Sequence, residues 1–175
     1  MENDQHSNIE KKVLCAVITV SDTRTDNTDK SGRLIIDLLK SDGHQVNEYI
    51  IVEDDSGKIR QTVEDVVQRA DIEAVLISGG TGISQRDVTI ESLQPLFDKT
   101  LPGFGELFRC LSYQFDIGSR SLLSRAIAGV ANNRVVFSMP GSTGAVKLAM
   151  DKLILPELGH AVKEINKDLF SDKEF

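Results

Sequence analysis

Hydrophobic positions along this chain switch between two spacings, and the switches delimit its elements. Val13 to Val20 is a continuous β-rich run, as a strand buried on both faces requires, and it ends on the polar segment Ser21-Asp22-Thr23-Arg24. Leu34, Ile35, Leu38 and Leu39 then recur at helical spacing up to Gly43, a residue suited to ending a helix. Gln45 to Val52 predicts the next strand. In Glu53-Asp54-Asp55-Ser56 a polar residue can cap the helix that follows, whose apolar stripe is Ile59, Val63, Val66, Val67 and Ala70. Glu73 to Ser78 predicts a third strand.

From Thr89 a short helix carries Ile90, Leu93, Leu96 and Phe97, and Leu101-Pro102-Gly103 then breaks the chain. The helix beyond is expected to bury Phe104, Leu107, Phe108, Leu111 and Phe115. Arg125 to Ala131 and Arg134 to Met139 read as strands joined by Asn132-Asn133, a hairpin signal that sets one strand antiparallel to its neighbour. Pro140-Gly141-Ser142-Thr143 leads into a helix with Val146, Ala149, Met150, Leu153 and Ile154 on one face. Pro156 is placed to open another, with Leu158, Ala161, Val162, Ile165 and Leu169 inward. Strands alternating with helices predict an α/β fold with helices on both faces of a mostly parallel, mixed sheet. One domain is expected over 13–170, between a mobile tail at 1–12 and a mobile end at 171–175.

Bulk properties fit that outline and narrow the partners. With 175 residues, 40% hydrophobic and 27% charged, the chain suffices for one well-packed core. A net charge of -7 and a pI near 5.0 argue against a nucleic acid or an anionic membrane as main partner, since the long-range field repels phosphate polymers. No apolar run approaches the roughly 20 residues of a membrane span, and Met1 to Glu10 is too polar for a signal peptide, so a cytoplasmic protein is expected. Cys15 and Cys110 both fall on apolar patterns and are expected to be buried thiols. His6, His44 and His160 are far apart in polar or terminal settings, which predicts no zinc site.

Candidate chemistry concentrates at the strand ends. In open α/β sheets ligands bind beyond the carboxyl ends of the strands, and four such tips here are unusual: Ser21-Asp22-Thr23-Arg24, Asp54, Gly79-Gly80-Thr81-Gly82 and Pro140-Gly141-Ser142-Thr143. Glycines let backbone N–H groups face an anion with no side chain in the way. The loop is not a Walker A motif, which needs Gly-Lys-Ser/Thr, nor the dinucleotide fingerprint, which needs glycine where Gln85 stands. The glycines also suit a plain turn, Asp54 and Asp87 suit helix caps, and Ser142 suits an N-cap, a role compatible with anion binding. If Asp54 and Asp87 reach one cleft, two hard oxygen donors near bound phosphates suit Mg²⁺ and point to nucleotidyl or phosphoryl transfer. Backbone donors, Arg86 or Arg24, and Lys147 complete the expected apparatus. Glu106 suits a glycine-flanked helix start, and Arg109, Arg120 and Arg125 suit a phosphate or a neighbouring subunit.

Four motifs together resemble one family: Gly79-Gly80-Thr81-Gly82 with Arg86-Asp87-Val88-Thr89, Pro102-Gly103-Phe104-Gly105-Glu106, Leu123-Ser124-Arg125-Ala126 and Met139-Pro140-Gly141-Ser142. The chain is similar to the MoaB/MogA family of molybdenum cofactor biosynthesis from about Val13 to Leu169, closer to the MoaB branch. The resemblance implies a three-layer α/β/α sandwich that binds molybdopterin, whose terminal phosphate attacks the α-phosphate of Mg-ATP to give adenylyl-molybdopterin and pyrophosphate. It implies that Asp54 and Asp87 serve pterin binding and catalysis and that Ser21, Asp22, the glycine loop, Arg86 and Glu106 line the cleft. Ser142, with Gly141, would stand near the ligand phosphates. Some members of the MoaB branch lack the Arg-Asp pair after the glycine loop, whereas this chain keeps Arg86 and Asp87. A homotrimer or homohexamer is also implied. The alternatives are a non-catalytic molybdopterin carrier and an oligomeric scaffold with a vestigial site.

Overall fold

Strand β1 (Leu14–Val20) lies inside the sheet, with every residue from Cys15 to Val20 buried, which is why its sequence carries no alternation. The computed structural model describes residues 12–171, so the expected mobile tails, apart from Lys12 and Ser171, lie outside the described residues, as does the Leu169 side chain. The other strands are β2 (Gln45–Val52), β3 (Ala74–Ser78), β4 (Lys99–Thr100), β5 (Ile127–Ala131) and β6 (Arg134–Met139). They form a 6-stranded sheet in the order β2-β1-β3-β6-β5-β4. β2, β1, β3 and β6 are mutually parallel, while β5 runs antiparallel to β6 and to β4. Asn132 and Asn133, at φ 47° and 59°, supply the two left-handed residues of the β5–β6 hairpin, as their sequence predicts.

Among the described residues six helices cover the two faces: α1 (Lys30–Ser41), α2 (Ser56–Val67), α3 (Thr89–Leu93), α4 (Pro102–Phe115), α5 (Thr143–Ala149) and α6 (Leu155–Ser171). Alternate strand residues Val17, Leu76, Val135 and Phe137 meet Ile35 and Leu39 of α1, Phe104 and Phe108 of α4, and Val146, Leu158 and Val162 of α5 and α6. The opposite set, Ile18, Ile77 and Val136, packs on Ile59 and Val63 of α2 and Leu93 of α3. The result is the three-layer α/β/α sandwich with a mixed sheet that the pattern predicts.

Several local expectations are corrected. Pro156 does not open a separate helix: α5 runs into α6 through a π-helical segment, Met150–Ile154. The wider turn, with Leu155 N donating to Met150 O, relieves the clash that a proline ring makes inside regular helix. The inward row of α4 is Phe104, Phe108 and Ser112, at four-residue steps, so Leu107 and Phe115 remain 55% and 71% exposed. Cys110 on the same helix is exposed rather than buried. Cys15 is buried, and that burial pushes its thiol up to about 12, leaving it inert. His44 is buried too, its Nδ1 accepting from Val13 N at 3.2 Å. β4 and a 3-10 turn at Gly118–Leu123 had no sequence signal.

Phe108 is fully buried against Phe104 and the sheet. Phe108→Ala should therefore lower the unfolding free energy by about 3–5 kcal/mol, read from urea denaturation of the two proteins.

Candidate functional site

The four parallel strands bring their carboxyl ends to one edge, so the loops after β1, β2, β3 and β6 meet there. The chain leaves β1 for β2 on one side and returns to β3 on the other, and this reversal opens the crevice in which such sheets hold ligands. All four unusual tips predicted from sequence share it.

Between Asp54 and Asp87 runs the glycine loop. Gly80, at φ +62°, packs its bare Cα so closely on the β2 tip that a Cβ would strike Thr89 Oγ1 and come within 2.7 Å of Asp54 Oδ1. At Gly82 an added Cβ would fall 2.5 Å from Asp87 Oδ2. The bare backbone at Gly80 and Gly82 thus leaves room for two carboxylates, Asp54 at the first and Asp87 at the second. Their electrostatic states differ. Asp54 Oδ1 is buried with no hydrogen-bond partner, and burial, reinforced by Asp87, raises its carboxyl above the ordinary carboxylate range. Asp87 accepts from Ser84 Oγ at 2.6 Å and Ser84 N at 2.9 Å, and these bonds hold its carboxyl below that range. Neither aspartate caps the helix after it: Asp55 caps α2 by accepting from Lys58 N, and Val88 precedes α3.

Side chains tie the tips together. Asp22 Oδ1 accepts from Asp54 N at 2.9 Å, and its Oδ2 pairs with Arg86, whose side chain is otherwise exposed. Arg125, just ahead of β5, donates to Thr81 O at 2.9 Å and Asp87 O at 3.4 Å and pairs with Glu91, so it staples the glycine loop. Sequence had marked Arg125 only for a phosphate or a neighbouring subunit. Ser21 Oγ accepts from Thr23 N and Arg24 N, and Ser142 caps α5 by accepting from Ala145 N. Ser31 Oγ donates to Gly141 O at 2.6 Å, joining α1 to the loop after β6. Asp29, the cap of α1, is buried; desolvation opposes its ionisation, but bonds from Thr19, Tyr49 and Gly32 outweigh it and lower its pKa. Asp29 and Ser31 carried no separate sequence signal, because Asp-x-Ser-Gly reads only as a helix start.

Two cavities share Gly79 and Gly141 as a common wall. One, of about 130 Å³, is lined by Thr19, Ser21, Arg24, Asp29 and Ser31 among others. The second, of about 330 Å³, is bounded by Gly80, Gly82, Asp87, Ser124, Arg125 and Pro140. Glu106 stands elsewhere, in a separate cavity of about 300 Å³ with Gln94, Phe97, Pro102 and Arg109. Lys147 pairs with Asp151 along its own helix. Among the described residues no three His, Cys, Asp or Glu side chains gather as a metal cluster, and no helix is long and apolar enough to cross a membrane.

A glycine loop packed on two carboxylates, at the reversal point of the sheet in a three-layer sandwich, defines an α/β domain of the kind that holds a small polar ligand at this edge. Residues 16–160 match the family described as a probable molybdopterin binding domain. The chain belongs to this molybdenum cofactor biosynthesis family of MoaB and MogA proteins. It is 55% identical over 169 residues to molybdenum cofactor biosynthesis protein B of Halalkalibacterium halodurans, covering 96% of this chain and 99% of that one. Its likeness to the Bacillus subtilis protein of the same name is 58% over 156 residues, 89% and 92% of the two chains. A crystal structure of a molybdenum cofactor biosynthesis protein B superposes with a TM-score of 0.89 at 56% identity, covering 90% of this chain and 98% of that one. The tungsten cofactor synthesizing protein MoaB of Pyrococcus furiosus gives 0.79 at 40%, covering 89% and 98%.

Two outcomes follow from this geometry. The folded chain binds the Asp54 proton more tightly than the unfolded chain does, so this carboxyl contributes stability below the ordinary carboxylate pKa and loses it as pH rises through the raised value. Asp54→Asn should then raise the thermal midpoint at pH 7, with the gain vanishing near pH 3 in differential scanning calorimetry. Arg125→Ala should accelerate amide hydrogen exchange across Gly82 to Asp87 by about tenfold or more while leaving β1 and β3 protected.

Proposed function

We propose that this chain works in molybdenum cofactor biosynthesis by adenylylating molybdopterin with Mg-ATP. The observation that carries this reading is the pair of unlike carboxylates beside one glycine loop: Asp87, whose pKa the Ser84 bonds lower, and Asp54, half-buried with one oxygen buried and unpartnered. An unpartnered buried carboxylate oxygen is costly and is retained where a cation or ligand engages it. Mg²⁺ takes one or two carboxylates together with substrate phosphates, so Asp54 and Asp87 are the residues that would receive the ion arriving with ATP. The names of the relatives support the pathway, and the description of the family supports the pterin.

In the reaction an oxygen of the molybdopterin terminal phosphate forms a bond to the α-phosphorus of ATP. The bond from that phosphorus to the bridging oxygen breaks, and its electron pair leaves with pyrophosphate. Such transfers need positioning and charge neutralisation more than covalent help from the protein. Loop amides at Gly80 and Thr81 and the start of α5 at Ser142 are the donors offered to phosphate oxygens, since Gly79 N already donates to Met139 O, with Gly141 allowing close approach and Arg86 supplying positive charge. Ser21 and Asp22 wall the pterin side.

Exposed Leu107, Tyr113, Phe115, Leu122 and Leu123, on α4 and the turn after it, support self-assembly as a trimer or hexamer, and the acidic surface suits a cytoplasmic protein. With authentic molybdopterin and Mg-ATP the purified protein should release pyrophosphate, and Asp87→Asn should reduce that release at least about a hundredfold. No release by the unmutated protein would overturn the reading, and tight pterin binding indifferent to ATP and Mg²⁺ would replace it with a carrier role.

A further inference from the structure

Thr89 is fully buried, yet its hydroxyl has no hydrogen-bond partner, although its backbone N donates to Gly80 O at 3.0 Å. A buried hydroxyl without a partner destabilises a fold by about 1–3 kcal/mol, and valine would fill the same space without that cost. Asp54 Oδ1 is the second buried orphan at this edge. Both oxygens border the vacant Cβ direction of Gly80, and the next neighbour there is Val20 Cγ1 at 3.1 Å. Two orphaned oxygens, one a donor and one an acceptor, therefore share a space that exists only because residue 80 has no side chain.

We propose that Thr89 is a positioning residue for Asp54, its hydroxyl donating to Asp54 Oδ1 when the cleft is occupied and so fixing which way that carboxylate faces. The proposal rests on the adenylylation reading for its kinetic test but on geometry alone for the pair itself. A carboxylate free to rotate serves a bound cation or phosphate poorly, and a single buried donor restricts it. Thr89 would then touch neither ligand. Its hydroxyl is also accounted for: fold stability gains nothing from it, whereas the site does.

The decisive variants are Thr89→Val, which keeps the shape and removes the donor, and Thr89→Ser, which keeps the donor. For Thr89→Val the expected result is kcat lowered about tenfold or more, KM for molybdopterin within about twofold, and a thermal midpoint no lower than that of the unmutated protein. Thr89→Ser should recover kcat. A purely structural threonine predicts the reverse pattern, with the midpoint falling in Thr89→Val and turnover unchanged per folded molecule, and that result overturns the proposal. If the unmutated protein does not turn over, adenylylation fails on its own account. The pair is then judged from crystals soaked with Mg-ATP, where an Oγ1 to Oδ1 distance beyond hydrogen-bond reach overturns it and one within reach supports it.

Discussion

The contact on which this site depends is that of bare backbone with two carboxylates. Gly80 lies on Asp54 and Thr89, and Gly82 lies on Asp87, so closely that any Cβ would collide. The loop is therefore not glycine-rich merely to turn. It has to pack against two acids, Asp54 from the β2 tip and Asp87 from its own C-terminal end, whose surroundings are unlike. One accepts from both the hydroxyl and the amide of Ser84 at Oδ2, and the other is desolvated with a buried oxygen left over. A pair whose environments push their pKa values apart is the arrangement that divides roles in an active site.

Loops at a sheet edge are ordinarily the soft part of a fold, but these are held by side chains reaching across the chain. Asp22 binds both the β2 tip and Arg86 of the glycine loop. Arg125 fastens that loop from the β5 side, and Ser31 fastens the loop after β6 from α1. Each bond alone contributes about 1 kcal/mol. Together they preorganise donors and charges before any ligand arrives, which is what a site working by electrostatics and positioning requires.

Much of the frame was legible in the chain, for identifiable reasons. Parallel strands buried on both faces leave unbroken apolar runs, as in Val75 to Ile77, and Asn132-Asn133 demands a two-residue hairpin whatever surrounds it. The four tips followed once the fold was assumed, since the topology places them on one edge. What escaped depends on distant partners. Arg125 looks like any surface arginine until Thr81 and Glu91, more than thirty residues away, are beside it. The glycine-flanked Glu106 suggested the cleft, yet α4 carries it to another cavity. α4 has apolar residues on two rows, and only packing selects Phe104 and Phe108 over Leu107 and Phe115. Pro156 signals a helix start by its local chemistry, and only a π-turn upstream lets the helix pass through it.

The central claim is that the crevice between β1 and β3, with the loop between Asp54 and Asp87, is where the substrate phosphates are engaged. A crystal structure of the protein with molybdopterin and a non-hydrolysable Mg-ATP analogue tests this most directly. The account predicts the pterin phosphate and the nucleotide α-phosphate between Gly79 to Gly82 and Pro140 to Ser142, with Asp54 Oδ1 no longer unpartnered. Both ligands seated instead in the Glu106 cavity, with the glycine loop and Asp54 unchanged, would contradict it.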